Sequence, residues 1–181
     1  MSNWNIVLMK KIIFLFLFYF ISNNAYSSNV AYLDVQYIID NSDIGLFYKN
    51  KIKLIQDKNS NILKPIEDRI KNKELEIKNK KNILNKSEIE NKINDLNKQI
   101  KDYQINRKEL NNKLNKKKKE YTSKILALLN PLLTNYVDKN AIVIVLEKKN
   151  ILVGIKSLDI TSNLLELINN ETKKQNLINE N

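Results

Sequence analysis

Ile89–Tyr121 reads IENKINDLNKQIKDYQINRKELNNKLNKKKKEY, and apolar residues return along it in alternating steps of four and three. The stepped positions hold Ile89, Ile93, Leu96, Ile100, Tyr103, Arg107, Leu110, Leu114, Lys117 and Tyr121, and the seam runs on through Ile125, Leu128 and Leu132. That spacing is a coiled-coil heptad. The preceding stretch carries a poorer seam of Ile62, Ile66, Ile70, Lys73, Ile77, Lys80 and Leu84. The two seams meet at residues 85–90, where Ser87 and Glu90 have the S-x-x-E form of a capping box, a helix start. A helical hairpin with its tip near 84–88 follows, because two half-apolar seams can then cover each other. Each arm would be ~60 Å long, and the rival reading is one unbroken rod of ~135 Å, at 1.5 Å per residue.

Several residues interrupt the arms. Pro65 and Pro131 lie inside the helical stretches and are expected to bend them. Lys73, Lys80, Arg107 and Lys117 occupy seam positions that a tight coiled coil fills with Ile or Leu. Each costs stability unless its stem lies along the partner and its head reaches water, so the middle of the arms is expected to be loose and mobile. Leu54, Leu63, Leu75, Ile83 and Ile105 fall off the seam and are expected at the surface.

Outside the arms the period changes. Asn29–Val35 (NVAYLDV) reads as a short strand that leads into residues 36–41 and a break around Asp43-Ile44-Gly45. Ala141–Leu146 (AIVIVL) is a continuous β-branched run, the mark of a buried strand, and after the polar turn Glu147–Asn150 comes a second such stretch, Ile151–Ile155 (ILVGI). Asp159 and Thr161 are candidate N-caps for a short helix over about 162–169, with Leu164, Leu165 and Ile168 on one face, and 171–181 reads as a polar tail. The fold class is α+β, mostly α, with body segments 28–47 and 139–170 flanking an arm at 48–138. Three short strands cannot close a protected sheet, and their open edges demand a partner.

Composition removes most chemistry. The 181 residues contain no Cys and no His, which leaves no zinc, haem, iron–sulfur or thiol site, and only two Gly, so no Gly-rich loop can cradle a nucleotide. No cofactor is expected and no enzyme either, since the carboxylates are dispersed among lysines and no nucleophile sits beside a base. Asn, Ile and Lys, at 30, 26 and 29 residues, make nearly half the chain, so any single Lys or Asn is weak evidence. Their distribution is stronger. Residues 48–138 hold 23 Lys+Arg against 12 Asp+Glu, a net of +11, while the rest of the chain holds eight of each. A uniform compositional bias would have made the strand region basic as well. Basic arms attract polyanions, anionic lipid headgroups or acidic polypeptides.

The first segment has the form of an export signal. Lys10 and Lys11 precede the apolar run Ile12–Ile21, and Ala25-Tyr26-Ser27 has the small-x-small pattern of a cleavage site. Ten apolar residues are too few to cross a bilayer core, which takes ~20. Cleavage is expected after Ser27, and the start at Met9 offers a more conventional signal than Met1.

At this point the residues are similar to the Skp/OmpH family of periplasmic chaperones. The opening Val30-Ala31-Tyr32-Leu33-Asp34-Val35-Gln36-Tyr37-Ile38-Ile39 with Ser42 and Gly45 resembles that family. So does the ending, Ile142–Leu146, a charged turn, Ile151–Ile155 and Leu158-Asp159-Ile160-Thr161 before the last helix. The resemblance implies a homotrimer whose strands build a small β-barrel body, with three helical hairpins around a basic cavity. It implies an ATP-independent holdase that keeps unfolded outer-membrane β-barrel proteins soluble in the periplasm. The candidate client contacts are then Lys73, Lys78, Lys80, Lys81, Arg107, Lys116, Lys117, Lys118 and Lys119, with Leu75, Ile83 and Ile105. The candidate body residues are Val30, Tyr32, Leu33, Val35, Ile142, Val143, Ile144, Val145, Leu146, Ile151 and Val153. Anionic lipid or lipopolysaccharide joins the candidate partners through charge, and no residue-by-residue lipopolysaccharide site carries over. The arms depart from the family in their Asn content and their uneven first seam.

Two other classes compete. The basic run Lys116–Lys119 suggests nucleic acid, but the export signal, the presence of only two Arg and the lack of an aromatic–basic motif argue against it. A structural coiled-coil spacer or adaptor of the cell envelope is the stronger alternative.

Overall fold

A computed structural model describes residues 29–178, and the expected leader, its cleavage point and residues 179–181 lie outside the described residues. The elements in order are β1 (Asn29–Leu33), α1 (Val35–Asn41), α2 (Asp43–Lys80), α3 (Lys86–Lys139), β2 (Ile142–Glu147) and α4 (Thr161–Lys174). Two 3-10 turns, Lys148–Asn150 and Lys156–Leu158, lie between β2 and α4.

The chain is mostly helical, and its two long helices fold back on each other. They meet in an antiparallel hairpin whose register can be read from its cross-arm pairs. Tyr48 stacks on Tyr121, Asn59 bonds the Leu110 carbonyl, Tyr103 bonds Glu67, Lys73 pairs with Asp95 and Lys92 with Glu76. The midpoint of every pair falls at residue 84 or 85, so the register holds from root to tip. Both helices run unbroken through their prolines, and the register on the two sides of Pro65 is the same. The connection is tight, turning over residues 81–85. Its closing signal is Asn85, not Ser87. The Glu88 amide donates to the Asn85 side chain at 2.9 Å, and the Asn85 amide donates to the Glu88 carboxylate at 3.1 Å. Asn caps a helix as well as Ser does, and the earlier of two overlapping boxes won.

β1 and β2 form a two-stranded parallel sheet, with Val30 opposite Ile144 and Leu33 opposite Glu147. Parallel neighbours need a long crossover, and here the crossover is the whole hairpin. Ile151–Ile155 is not a strand in the single chain. It is an irregular segment between the 3-10 turns, touching β1 through the Tyr32 hydroxyl, which donates to the Ile155 carbonyl at 3.2 Å. Past it, Tyr32 and Asp159 form an isolated parallel bridge. β2 is not the buried strand its composition predicts, since Val143, Ile144 and Leu146 are exposed.

The core sits where the sheet, α1, α4 and the root of the hairpin meet. Leu33, Ile38, Ile44, Leu129, Leu164 and Ile168 are fully buried there, with Ala31, Ile125 and Ile160 beside them. The break expected at Asp43–Gly45 is a one-residue bend at Ser42, whose hydroxyl accepts the Gly45 amide at 3.1 Å and caps α2. Gly45 lies inside the first turn of that helix because a Cβ there would collide with the Ile39 carbonyl oxygen. α4 is longer than expected. The i, i+4 series Leu164–Ile168–Thr172 keeps it buried, the Thr172 hydroxyl donates to the Ile168 carbonyl at 2.7 Å, and Leu177 and Ile178 pack against the core. Residues 171–178 are therefore structural and not a tail. Neither expected side chain caps α4 in the usual way. Instead Asp159 accepts the Thr161 amide at 3.0 Å, and the Thr161 hydroxyl accepts the Asp34 amide at 2.9 Å, tying α4 to the end of β1.

Candidate functional site

The arms divide into three zones by what holds them together. At the root, Tyr48 and Tyr121 stack with ring centroids 4.3 Å apart and nearly parallel planes, and Tyr48 also lies against Phe47. Ile125 and Leu129, one and two turns further on, are buried. Lysine heads cover the rings: Lys51 lies 4.5 Å from the Phe47 centroid, and Lys117 and Lys124 about 6 Å from that of Tyr121. Lys117 is thus not a disruption of the seam. It pairs with Glu120 at 2.9 Å, which Lys124 also reaches, and these bonds hold the Glu120 carboxyl below its ordinary value and both ammonium groups above theirs.

The middle zone opens. Arg107 is exposed instead of packed in the seam, and with Lys108, Glu67 and Glu74 it gives the charged lining of a cleft of about 530 Å³ whose apolar part is Ile70, Ile100 and Tyr103. A second cleft of about 520 Å³ flanks the other side of Tyr103, against Asn59, Leu63 and Leu114. The bonds that bridge this level are long, 3.4 Å from the Tyr103 hydroxyl to Glu67 and 3.5 Å from Asn59 to the Leu110 carbonyl. Both are near the limit of a useful hydrogen bond. The two clefts and the two long bonds all lie around Tyr103, one helical turn from Arg107.

Towards the tip, ion pairs join the half-buried Ile77, Leu84, Ile89 and Leu96 in bridging the arms. Lys73 leaves the seam to pair with Asp95, and Glu76 takes both Lys92 across the hairpin and Lys80 on its own helix, each at 3.0 Å. Bonding from Lys80 and Lys92 holds the Glu76 carboxyl below its ordinary value, and bonding from Lys73 does the same for Asp95. The sequence reading missed Asp95, Glu76 and Lys92. Their signal lies in the register: once a tip at 81–85 is known, reflection about residue 84 pairs them.

The candidate client residues are not gathered into one patch. Lys78, Lys81 and Ile83 are exposed at the tip, Ile83 at 82 %, and Leu75, about one helical turn before Lys78, is exposed too. Arg107 and Ile105 are exposed in the middle zone, and Lys116, Lys118 and Lys119 near the root. Among the described residues Lys78, Lys81, Arg107, Lys116, Lys118 and Lys119 make no salt bridge, so their charge is presented to solvent. Lys73, Lys80 and Lys117 are committed to carboxylates. Leu54 is exposed as expected, whereas Leu63 is half-buried against the second cleft. Of the candidate body residues, Tyr32 and Leu33 are buried, Val30, Val35, Ile142, Val145 and Ile151 half-buried, and Val143, Ile144, Leu146 and Val153 exposed. Among the described residues no cluster of acidic side chains could hold a metal, and no helix is long and apolar enough to cross a membrane.

Comparison with known proteins gives a consistent result. Residues 29–168 match the family described as outer membrane protein, OmpH-like. Among solved structures, a protein of Caulobacter crescentus described as an OmpH-like outer membrane chaperone superposes with a TM-score of 0.64. It is 13% identical, over 79% of this chain and 85% of that one. At that identity the likeness is one of fold. No curated protein matches the chain.

Proposed function

The chain belongs to the OmpH-like outer membrane protein family, and on that premise we propose that it is an ATP-independent periplasmic holdase. Residues 1–27 direct export and are cleaved. Segments 28–47 and 139–170 build the body of a homotrimer, and the 48–138 arms of three copies enclose unfolded outer-membrane β-barrel proteins. The chain works without a cofactor and catalyses no reaction. Anionic lipid and lipopolysaccharide are secondary partners by charge, and nucleic acid is not one.

The observation that carries this reading is the segregation of charge onto a loosely fastened arm. The net +11 of the chain lies within residues 48–138, and six of its candidate cations face solvent without an ion pair. Long-range attraction speeds capture of an acidic unfolded chain, and weak contacts spread from Ile83 at the tip to Lys116 at the root keep that chain dynamic. A middle zone that can open lets the arm adapt to clients of different size. Enclosure keeps the strand edges of one client from those of another, which is the route to aggregation. Release needs no energy from the chaperone, because folding into a membrane removes the exposed surface from the client.

The test uses the chain from Ser28, which contains no Trp. A urea-unfolded, Trp-containing β-barrel protein is diluted into buffer with and without it, in the absence of ATP. Light scattering and client Trp emission are followed together. Suppressed scattering that saturates near three chains per client is expected. Unchanged aggregation at every ratio, from a folded and oligomeric sample, overturns the holdase and favours the envelope spacer.

A further inference from the structure

Of the two clefts beside Tyr103, one carries charge of opposite sign on its two walls. The cleft of about 530 Å³ is lined by Glu67 and Glu74 from α2 and by Arg107 and Lys108 from α3. The charged residues that line its neighbour, Lys64, Glu67 and Asp68, all belong to α2. Among the described residues none of Glu67, Glu74, Arg107 and Lys108 makes a salt bridge, so both walls keep their charge for a ligand. Walls of opposite sign favour neither a lone cation nor a lone anion.

The rest of the lining narrows the choice. Ile70, Ile100 and the Tyr103 ring are apolar, and Gln104 and Asn111 add amide donors and acceptors. A ring surface with amides beside it suits an aromatic side chain that has a polar tip, Tyr or Trp, better than an aliphatic one. The Tyr103 hydroxyl reaches Glu67 only at 3.4 Å, a bond weak enough to exchange for one to a ligand. The volume falls within the ~300–1,000 Å³ of ligand sites.

An extended polypeptide presents such a ring together with its neighbours. The residues two before and two after it point the same way. They stand ~13 Å apart, at ~3.3 Å per residue, while packed helices lie ~8–10 Å axis to axis. A strand laid across the hairpin with its ring in the cleft therefore carries one flanking residue over α2 and the other over α3. Barrel strands alternate in this way, and they place aromatic residues where the apolar band meets water. We propose that the cleft holds a Tyr or Trp side chain of an extended client segment. A basic residue two places to one side lies over Glu67 and Glu74, and an acidic residue two places to the other side lies over Arg107 and Lys108. The inference rests on the holdase reading and gives the arm a contact that selects by pattern, beside the many made by charge alone.

Capped five-residue peptides with a central Trp, a Thr on either side of it and charged ends test this on the chain from Ser28. That chain lacks Trp, so peptide emission reports binding, and its own backbone amide shifts report the place. The peptide with one Lys end and one Glu end is expected to bind tightest, with shifts confined to residues 63–74 and 100–112. About threefold weaker binding is expected with two Glu ends, and about tenfold weaker binding with Leu in place of the central Trp. Glu67→Lys combined with Glu74→Lys is expected to reverse the first order, so that two Glu ends bind best. Arg107→Leu completes the seam and closes the cleft. With helical circular dichroism unchanged, it is expected to abolish the confined shifts and to shorten the residence of a captured client. On arms of net +11, long-range attraction alone ranks two Glu ends first in the unaltered chain, and that order overturns the proposal. Shifts spread along the whole arm, or equal binding of the Leu-centred peptide, overturn it too. Arg107→Leu that removes peptide binding but releases client no faster overturns it and leaves the holdase standing. Pattern selection in a chain that suppresses no client aggregation supports the cleft as an aromatic site and removes the holdase.

Discussion

At the body end of the hairpin Ile125 and Leu129 are packed into an apolar cluster with Leu164 and Ile168, whereas from Lys51 to Glu120 only Leu114 is buried among the described residues. The same two helices serve both regions. In the first they are held by area removed from water. In the second they are held by half-buried Ile and Leu side chains, a constant register and ion pairs such as Lys73–Asp95, which water and salt compete for. The difference separates two tasks. The body provides the folding energy, and the arm is then free to spend its sequence on charge and to tolerate clefts that would ruin a core.

That contrast predicts unequal responses to mutation. Ile168→Ala removes a fully buried side chain and is expected to cost about 2–5 kcal/mol, seen as a single cooperative loss in denaturant unfolding. Leu114→Ala is expected to cost about 2 kcal/mol, at the low end of the same range, because the clefts beside it let the site relax. Its signature is faster amide exchange from about residue 55 to 115 with the body unchanged; uniform acceleration throughout would mean that arm and body are one cooperative unit. Asn85→Ala removes the cap at the tip and is expected to cost about 1 kcal/mol, confined to exchange at residues 81–90. Ala141→Gly acts in the opposite direction. Ala141 sits just past the end of α3 with φ of 49°, a left-handed conformation that Gly adopts freely, so the variant is expected to gain about 1 kcal/mol in urea unfolding.

Acid sharpens the comparison further. Glu76 and Asp95 have folded values below their ordinary ones, so their contribution is complete above the normal carboxylate range and is lost as pH falls through the lowered values. Both are at the surface and the effect is small. Between pH 6 and pH 3, amide protection corrected for intrinsic rates is expected to drop at residues 73–95 before it drops at 125–129. A simultaneous loss would place the tip ion pairs in the same cooperative unit as the core. Asp159 behaves likewise within the body. Burial works against its ionisation, but bonds from Thr161 and Lys148 outweigh it and hold its carboxyl below the ordinary value.

The hairpin was legible in the sequence because a seam apolar at eight of ten positions runs along residues 89–121 beside a poorer one before it, and repetition averages out single exceptions such as Arg107. Local signals without repetition were less secure. The S-x-x-E at Ser87 and the N-x-x-E at Asn85 are equal on chemistry, and only the turn at 81–85 chooses between them. Asp43-Ile44-Gly45 has the form of a break, yet Gly45 lies inside the helix, where a Cβ would collide with the Ile39 carbonyl oxygen. ILVGI has the composition of a strand and no strand beside it in one chain, which composition cannot report. The polar residues after Asn169 concealed Thr172, whose hydroxyl is satisfied by its own helix and can be buried. For the arm surface, the sequence placed the lysines correctly on the arm, but which are free and which are spent on carboxylates depends on register.

On the proposed holdase function, the unpaired charge of the arms captures the client. Affinity of the chain from Ser28 for a fluorescent, urea-unfolded β-barrel protein, measured from 0.1 M to 1 M salt, tests it most directly. The Debye length falls over that range from ~10 Å to ~3 Å. Capture is expected to weaken steadily across the range and to weaken less when Lys116, Lys118 and Lys119 are replaced by Gln. An affinity that does not change with salt, in a sample that remains folded and assembled, contradicts it.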